Sequence, residues 1–134
     1  DARRFEQMEY NVAPRLGLGA SVEHALGWEL SAIKTRIGRL SSLLRARLAD
    51  LPGVTVRDQG TRPSGITTFT VDGRSHEALS ASLLAQRINV SVSRLDWARL
   101  DLEPRGIESM LRASPHYYNT EDEVDRFVEA IARA

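Results

Sequence analysis

From Ser21 onward apolar residues recur at steps of three or four: Val22, Leu26, Leu30, Ile33, Ile37, Leu40, Leu44, Leu48 and Leu51. That spacing draws one apolar stripe along a helix. Glu29, Arg36, Arg39, Arg45 and Asp50 fall on the opposite side. Gly27 lies inside the stretch, and a helical Gly costs roughly 1 kcal/mol against Ala. The pattern therefore predicts a break into two helices near residues 27–31. Residues 1–20 show no long period, and Pro14, Gly17 and Gly19 predict a turn or loop feeding the helix. Leu51-Pro52-Gly53 ends the helical run, since proline cannot continue it and glycine frees the chain to turn.

The period then changes to two. Residues 54–58 (VTVRD) alternate apolar and polar, which predicts a half-buried strand. Residues 65–71 (GITTFTV) are rich in β-branched side chains and predict a second strand. After the Asp72-Gly73 turn, Ser75 can cap a helix over 76–87, with Leu79, Leu83 and Leu84 apolar. Residues 88–95 (INVSVSRL) alternate as a third strand, and 110–114 (MLRAS) make a fourth. Between these two, residues 96–109 read as a long loop with a short turn near Gly106, and long loops in compact domains are often functional. Thr120 opens a T-E-D-E capping box, in which the Glu123 carboxylate reaches back to the helix start. A last helix follows, with Val124, Phe127, Val128 and Ile131 on one face. The order α–β–β–α–β–β–α predicts an α+β fold: a small, mostly antiparallel sheet of about four strands with helices packed on it.

Composition narrows the chemistry. The chain has 134 residues, with Lys plus Arg equal to Asp plus Glu at 18 each. That balance offers no electrostatic pull toward nucleic acid or an anionic membrane, and no apolar run is long enough for a membrane span. With no cysteine present, disulfides and thiolate nucleophiles are excluded within the chain, and a cytoplasmic setting is expected. The chain starts at Asp1 without Met, so we expect a piece of a longer protein.

Most candidate motifs have plain explanations. Gly17-Leu18-Gly19 lacks the third glycine and the distal acid of a dinucleotide fingerprint. Lys34 is the only lysine. It stands mid-helix, where a solvated side chain is expected rather than the desolvated one a Schiff base needs. His24, His76 and His116 show no metal-ligand spacing, and His24 and His76 are expected at the surface. Glu121, Asp122 and Glu123 open a helix, where the dipole favours negative charge.

Arg112 is harder to dismiss. It interrupts the fourth strand and is followed by Ser114, His116 and Asn119, which could face one cleft. A guanidinium fork pairs bidentately with carboxylates. Residue chemistry alone leaves two readings: a structural ion pair at the sheet edge, which is the commoner arrangement, or a site for a carboxylate substrate.

Residues 112–131 (RASPHYYNTEDEVDRFVEAI) resemble the C-terminal end of the class V aminotransferase family, which includes cysteine desulfurases, selenocysteine lyases and isopenicillin N epimerase-like proteins. There an R-x-S-x-x-x-Y-N-T-x-x-(D/E)-(I/V)-D segment closes the small domain. RRFEQMEYN (3–11) resembles the family's R-F-E stretch, and LGLGASVEHAL (16–26) the helix entry after it. LPGVTV, GITTFTV and INVSVS fall at the expected strand positions. The resemblance implies a pyridoxal 5'-phosphate enzyme of fold type I acting on an amino acid by transamination, C–S lysis or epimerisation, usually as a homodimer. Residues 1–20 would be a lead-in from a missing N-terminal large domain that holds the Schiff-base lysine, and 21–134 the C-terminal small domain. By the same resemblance Arg112 matches the arginine that binds the substrate α-carboxylate, His116 is a candidate substrate contact or a hydrogen-bond partner at the helix entry, and Asn11 and Arg15 are candidate pocket contacts across a dimer interface.

Two departures shape that expectation. Residues 94–106 (RLDWARLDLEPRG) correspond to the stretch that carries a persulfide-forming cysteine in desulfurases, and they contain none. Met8-Glu9 stands where desulfurase-like members often have Gly-Thr, whose threonine reaches a cofactor phosphate. A carboxylate there would repel phosphate, so that role is not carried over. No catalytic residue is expected in this stretch, and the chain alone should be inactive. The competing expectation is a free-standing α+β binding or dimerisation module without cofactor.

Overall fold

The computed structural model describes residues 2–5 and 11–133. The chain divides into two compact units, Asp1–Ile33 and Lys34–Ala134. In the first, a 3-10 turn, Ala2–Phe5, precedes helix α1, Val12–Gly27. This helix starts well ahead of Ser21, so the loop expected over the first twenty residues is partly helical. Pro14 does not prevent it, because the first-turn N–H groups have no intrahelical partner to lose. The Asn11 side chain caps the helix by accepting from Ala13 N at 3.1 Å. No α1 residue is buried.

The break anticipated near 27–31 falls at Trp28–Glu29. Glu29 adopts a left-handed φ of 62°, and its N–H donates to Leu26 O at 3.1 Å. Helix α2, Leu30–Ala49, follows. The apolar stripe read as continuous divides here: Leu40, Leu44 and Leu48 are buried, whereas Val22, Leu26 and Leu30 are exposed.

The second unit holds a four-stranded antiparallel sheet: β1 Val54–Val56, β2 Thr67–Val71, β3 Ser91–Arg94 and β4 Ser109–Ala113, in the order β1-β2-β4-β3. Strand alternation sends Phe69, Leu111 and Ala113 to one face. There they join Leu40, Leu44 and Leu48 of α2, Leu79 and Leu83 of α3 (His76–Ala85), and Val124, Phe127, Val128 and Ile131 of α5 (Glu121–Arg133) in one core. Phe69 and Phe127 meet edge-to-face at 6.0 Å.

The loop expected over 96–109 is instead a run of short helical pieces: a 3-10 turn at Leu95–Trp97, helix α4 at Arg99–Leu102, and a second 3-10 turn at Glu103–Arg105. Arg99–Glu103 and Asp101–Arg105 ion pairs span one helical turn each. Leu102 and Ile107 bury against Met110 in a second, smaller cluster. Met110 alternates with Leu111, so this cluster lies on the sheet face away from the main core.

His76 is also not where it was expected. It is buried, with Nδ1 at 2.7 Å from Ser109 Oγ and Nε2 accepting from Val71 N at 3.3 Å. An accepting Nε2 requires a neutral ring protonated on Nδ1. Burial pushes its pKa below the ordinary histidine value, against a smaller opposing pull from the Glu77 carboxylate.

The connection between β1 and β2 is fastened to α2. Arg45 Nε meets Asp58 Oδ2 at 2.6 Å, and its terminal nitrogen donates to Ser64 O and Ile66 O, both at 2.7 Å. Asp58 Oδ1 also accepts from Thr68 N at 2.7 Å and Thr68 Oγ1 at 2.6 Å. Beside them, a Cβ on Gly65 would stand 2.4 Å from Ile37 Cγ2, so the backbone comes closer to the helix than any side chain permits.

Candidate functional site

Strand β4 lies between β2 and β3, so its outward residues are framed on both sides. Arg112 stands opposite Thr68 on β2 and Ser91 on β3. Residues paired this way share a face, and this one is the face of Met110, away from the main core. The guanidinium is exposed. Among the described residues it makes no hydrogen bond or ion pair, so the edge salt bridge considered from sequence chemistry does not form there. A recess of about 310 Å³ is lined by its cross-strand neighbour Thr68 and by Met110, with Ser64, Ile66, Asp101 and Arg105, and Arg112 itself does not line it.

The segment after β4 is built as a rigid turn. His116 N donates to Asn119 Oδ1 at 2.8 Å, and Asn119 N donates to His116 O at 3.0 Å. The capping box forms as expected: Glu123 N donates to Thr120 Oγ1 at 3.2 Å, and Thr120 N donates to Glu123 Oε2 at 2.9 Å. Asn119 Nδ2 adds a third tie to Glu123 at 3.1 Å. These bonds hold the Glu123 carboxyl below its ordinary pKa, the Thr120 backbone contributing most. From α2, Arg36 donates to Asn119 O at 2.8 Å and to both oxygens of Glu121, at 2.5 and 2.9 Å. Chiefly through that side-chain hydrogen bond, the Glu121 pKa falls to about 2.

The hydrogen bond at the helix entry is thus made by the His116 backbone, while its ring packs against Tyr117 at 4.9 Å and Tyr118 at 5.1 Å. Ser114, Pro115, Tyr118 and Asn119 line a groove of about 370 Å³ with Arg87, Asn89 and Arg126. Arg112 and His116 do not line it. The single cleft imagined for Arg112, Ser114, His116 and Asn119 is therefore not formed, because Asn119 is spent on the turn and Arg112 projects from the sheet.

Lys34 is exposed on α2, the Asn11 side chain is engaged as a helix cap, and Arg15 lies exposed on α1. Met8 and Glu9 fall outside the described residues. No group of three or more histidine, aspartate or glutamate side chains could hold a metal ion among the described residues, and no described helix is long and apolar enough to cross a membrane.

The family profile described as aminotransferase class-V matches residues 2–127. The chain belongs to this family. A probable hercynylcysteine sulfoxide lyase from Mycobacterium tuberculosis is 37% identical over 128 residues, which cover 94% of this chain and 31% of that protein. Among solved structures, the Escherichia coli cysteine desulfurase CsdA superposes with a TM-score of 0.84 at 29% identity, over 96% of this chain and 31% of that one. A C-DES variant with glycine covalently linked to its pyridoxal phosphate cofactor gives a TM-score of 0.62 at 25% identity, over 76% of this chain and 24% of that one. The family thus implies pyridoxal phosphate, and the fold is that of a region of fold type I enzymes. The chain spans about a third of the length of these enzymes, as the 31% coverage of the lyase shows.

The site that sequence reasoning missed is the recess beside Arg112. Its walls come from residues 57–66, which span the ends of two expected strands and the link between them, and from 101–105, read as loop. The Arg99/Glu103 and Asp101/Arg105 spacings were the available signal for helical order there.

Proposed function

We propose that this chain is the C-terminal small domain of a pyridoxal phosphate-dependent enzyme that cleaves the carbon–sulfur bond of an S-substituted cysteine. Arg112 carries the reading: a guanidinium exposed on an open sheet face, without a partner among the described residues, across from Thr68 at the edge of a recess. Its fork suits a bidentate bond to the substrate α-carboxylate. Holding that carboxylate fixes the rotation of the substrate's Cα bonds, which decides which bond reacts. The cofactor, anchored outside this chain, supplies electron withdrawal at Cα.

C–S lysis is favoured over transamination and epimerisation by the similarity to the hercynylcysteine sulfoxide lyase. With no cysteine in the chain, residues 94–106 cannot accept sulfur as an enzyme persulfide. The sulfur fragment therefore leaves without forming a persulfide on this domain. The proposal includes a large domain preceding this one, a homodimeric assembly and a cytoplasmic setting, as the family resemblance implies.

In the full-length enzyme, Arg112→Ala should raise KM for cysteine conjugates and spare cofactor binding. The loss in kcat/KM should correspond to about 2–3 kcal/mol. Unchanged kinetics would remove Arg112 from the site.

A further inference from the structure

The β1–β2 ladder runs one residue past Val56: Arg57 N donates to Thr68 O at 2.7 Å. With Val56 paired to Phe69, this sets Arg57 opposite Thr68. Thr68 stands opposite Arg112, and Arg112 opposite Ser91. These four residues form one row across the sheet. Val54 and Val56 pack against the main core, so alternation turns Arg57 to the outward face that Arg112 also occupies. Neighbouring strands lie about 4.8 Å apart, so the two arginine backbones are roughly 10 Å from each other. Only Thr68 stands between them, and its hydroxyl is engaged, donating to Asp58 Oδ1 at 2.6 Å.

Arg57 and Thr68 both line the 310 Å³ recess, so the row leads from Arg112 into it. The charged residues of its lining are Arg57, Asp58, Asp101 and Arg105. Asp58 is neutralised by Arg45 at 2.6 Å, and Asp101 by Arg105 at 2.9 Å. Arg57 is left over. Its Nε donates to Thr70 Oγ1 at 3.0 Å, a neutral partner, and it makes no ion pair among the described residues. That bond directs the side chain along the outward face and leaves the terminal nitrogens for a ligand. A group entering the recess takes water away from this guanidinium, and a desolvated cation requires a negative partner.

We infer that Arg57 is a specificity residue that binds a second carboxylate of the substrate. The α-carboxylate lies on Arg112, the sulfur substituent passes Thr68 into the recess, and a carboxylate at its far end pairs with Arg57. The substrate class is then a cysteine conjugate whose sulfur substituent is itself acidic. This rests on the reading of Arg112 as the α-carboxylate anchor, but it makes a separate claim about the recess. A carboxylate forms a charge-assisted pair with the guanidinium fork, whereas a neutral substituent of the same shape leaves the buried charge unpaired.

The test is calorimetric binding of S-(2-carboxyethyl)-L-cysteine and its amide, S-(2-carbamoylethyl)-L-cysteine, to the full-length enzyme reconstituted with cofactor and chemically reduced, so that neither ligand turns over. The two ligands share size and shape and differ in charge. The native enzyme should prefer the carboxylate roughly tenfold. Arg57→Gln should abolish that preference by weakening the carboxylate alone, and unchanged binding of the amide reports an intact fold. Arg57→Lys should keep part of the preference, since the charge remains without the fork. Equal binding of both ligands by the native enzyme would overturn the assignment, as would an Arg57→Gln change that weakens both alike or neither. Arg112→Ala should weaken both ligands equally. If it weakens neither, the α-carboxylate reading of Arg112 falls, while the carboxylate preference and its loss in Arg57→Gln still decide the recess.

Discussion

Helices α1 and α5 make opposite uses of apolar residues. In α5, Val124, Phe127, Val128 and Ile131 all lie within the main core, and the charged residues take the other side. In α1, Val12, Leu16, Leu18, Val22 and Leu26 are all at least half exposed, although their spacing puts them within about 160° of the helix circumference, on one face. A helix with an apolar face of that width is built to be covered, and no residue of α1 is buried. The difference teaches that an apolar face marks surface to be covered, and that burial shows whether this chain supplies the cover. α5 finds its cover inside this chain. α1 carries the apolar face of a packed helix without the burial.

Three measurements on the 134-residue chain probe that contrast. The largest effect is expected from Phe127→Ala, which leaves a hole beside Phe69 and should cost about 3–5 kcal/mol in denaturant unfolding. Leu16→Ala on α1 should change the same transition by no more than about 0.5 kcal/mol. A comparable cost from both would mean that α1 is already packed.

A smaller effect comes from His76, which belongs to the α5 side of the comparison. Its folded pKa is depressed by burial below the ordinary histidine value. The unfolded chain therefore binds a proton that the folded chain resists. Stability is complete above the unfolded value and falls as pH drops through it toward the lower folded value. The unfolding midpoint should decline as the pH falls below about 7, and His76→Gln should flatten that part of the profile. A midpoint that rises on acidification would contradict the neutral ring.

The smallest effect separates the two helix caps. Thr120→Ala removes the box at α5 and should cost about 1 kcal/mol in the main transition. Asn11→Ala should fray α1, seen as lost far-ultraviolet helicity, with the main transition unmoved. A shift of that transition by the Asn11 change would again tie α1 into the core.

Where local chemistry acts over three or four residues, the sequence was readable. The Thr120 box, the turn at Pro52-Gly53 and the break near Gly27 all appear as expected, and the strand order is consistent with the α+β fold read from alternation. Arg112 was singled out correctly as an interruption, and its exposure could be guessed from the alternation with Leu111 and Ala113. The misses share another cause. His76 looked like a surface residue because its partners, Ser109 and Val71, are brought to it only by the sheet. The 95–105 segment looked unstructured because its two most apolar side chains, Trp97 and Leu100, point outward and spoil the period. Helix α1 was started too late because Pro14 and glycines were weighed as breakers without regard to position in the first turn.

Gly65 has a consequence for how this domain would fare if its chain were cut. The stretch from Gln59 to Ser64 is exposed and carries Arg62, an obvious target for a trypsin-like protease. Yet Asp58 on one side of such a cut is held by Arg45, and on the other side Ser64 and Ile66 are held by the same guanidinium, with Gly65 seated against Ile37. A single nick there should leave two fragments that stay together and stay folded, so the loop that looks most vulnerable is a place where continuity of the backbone is dispensable.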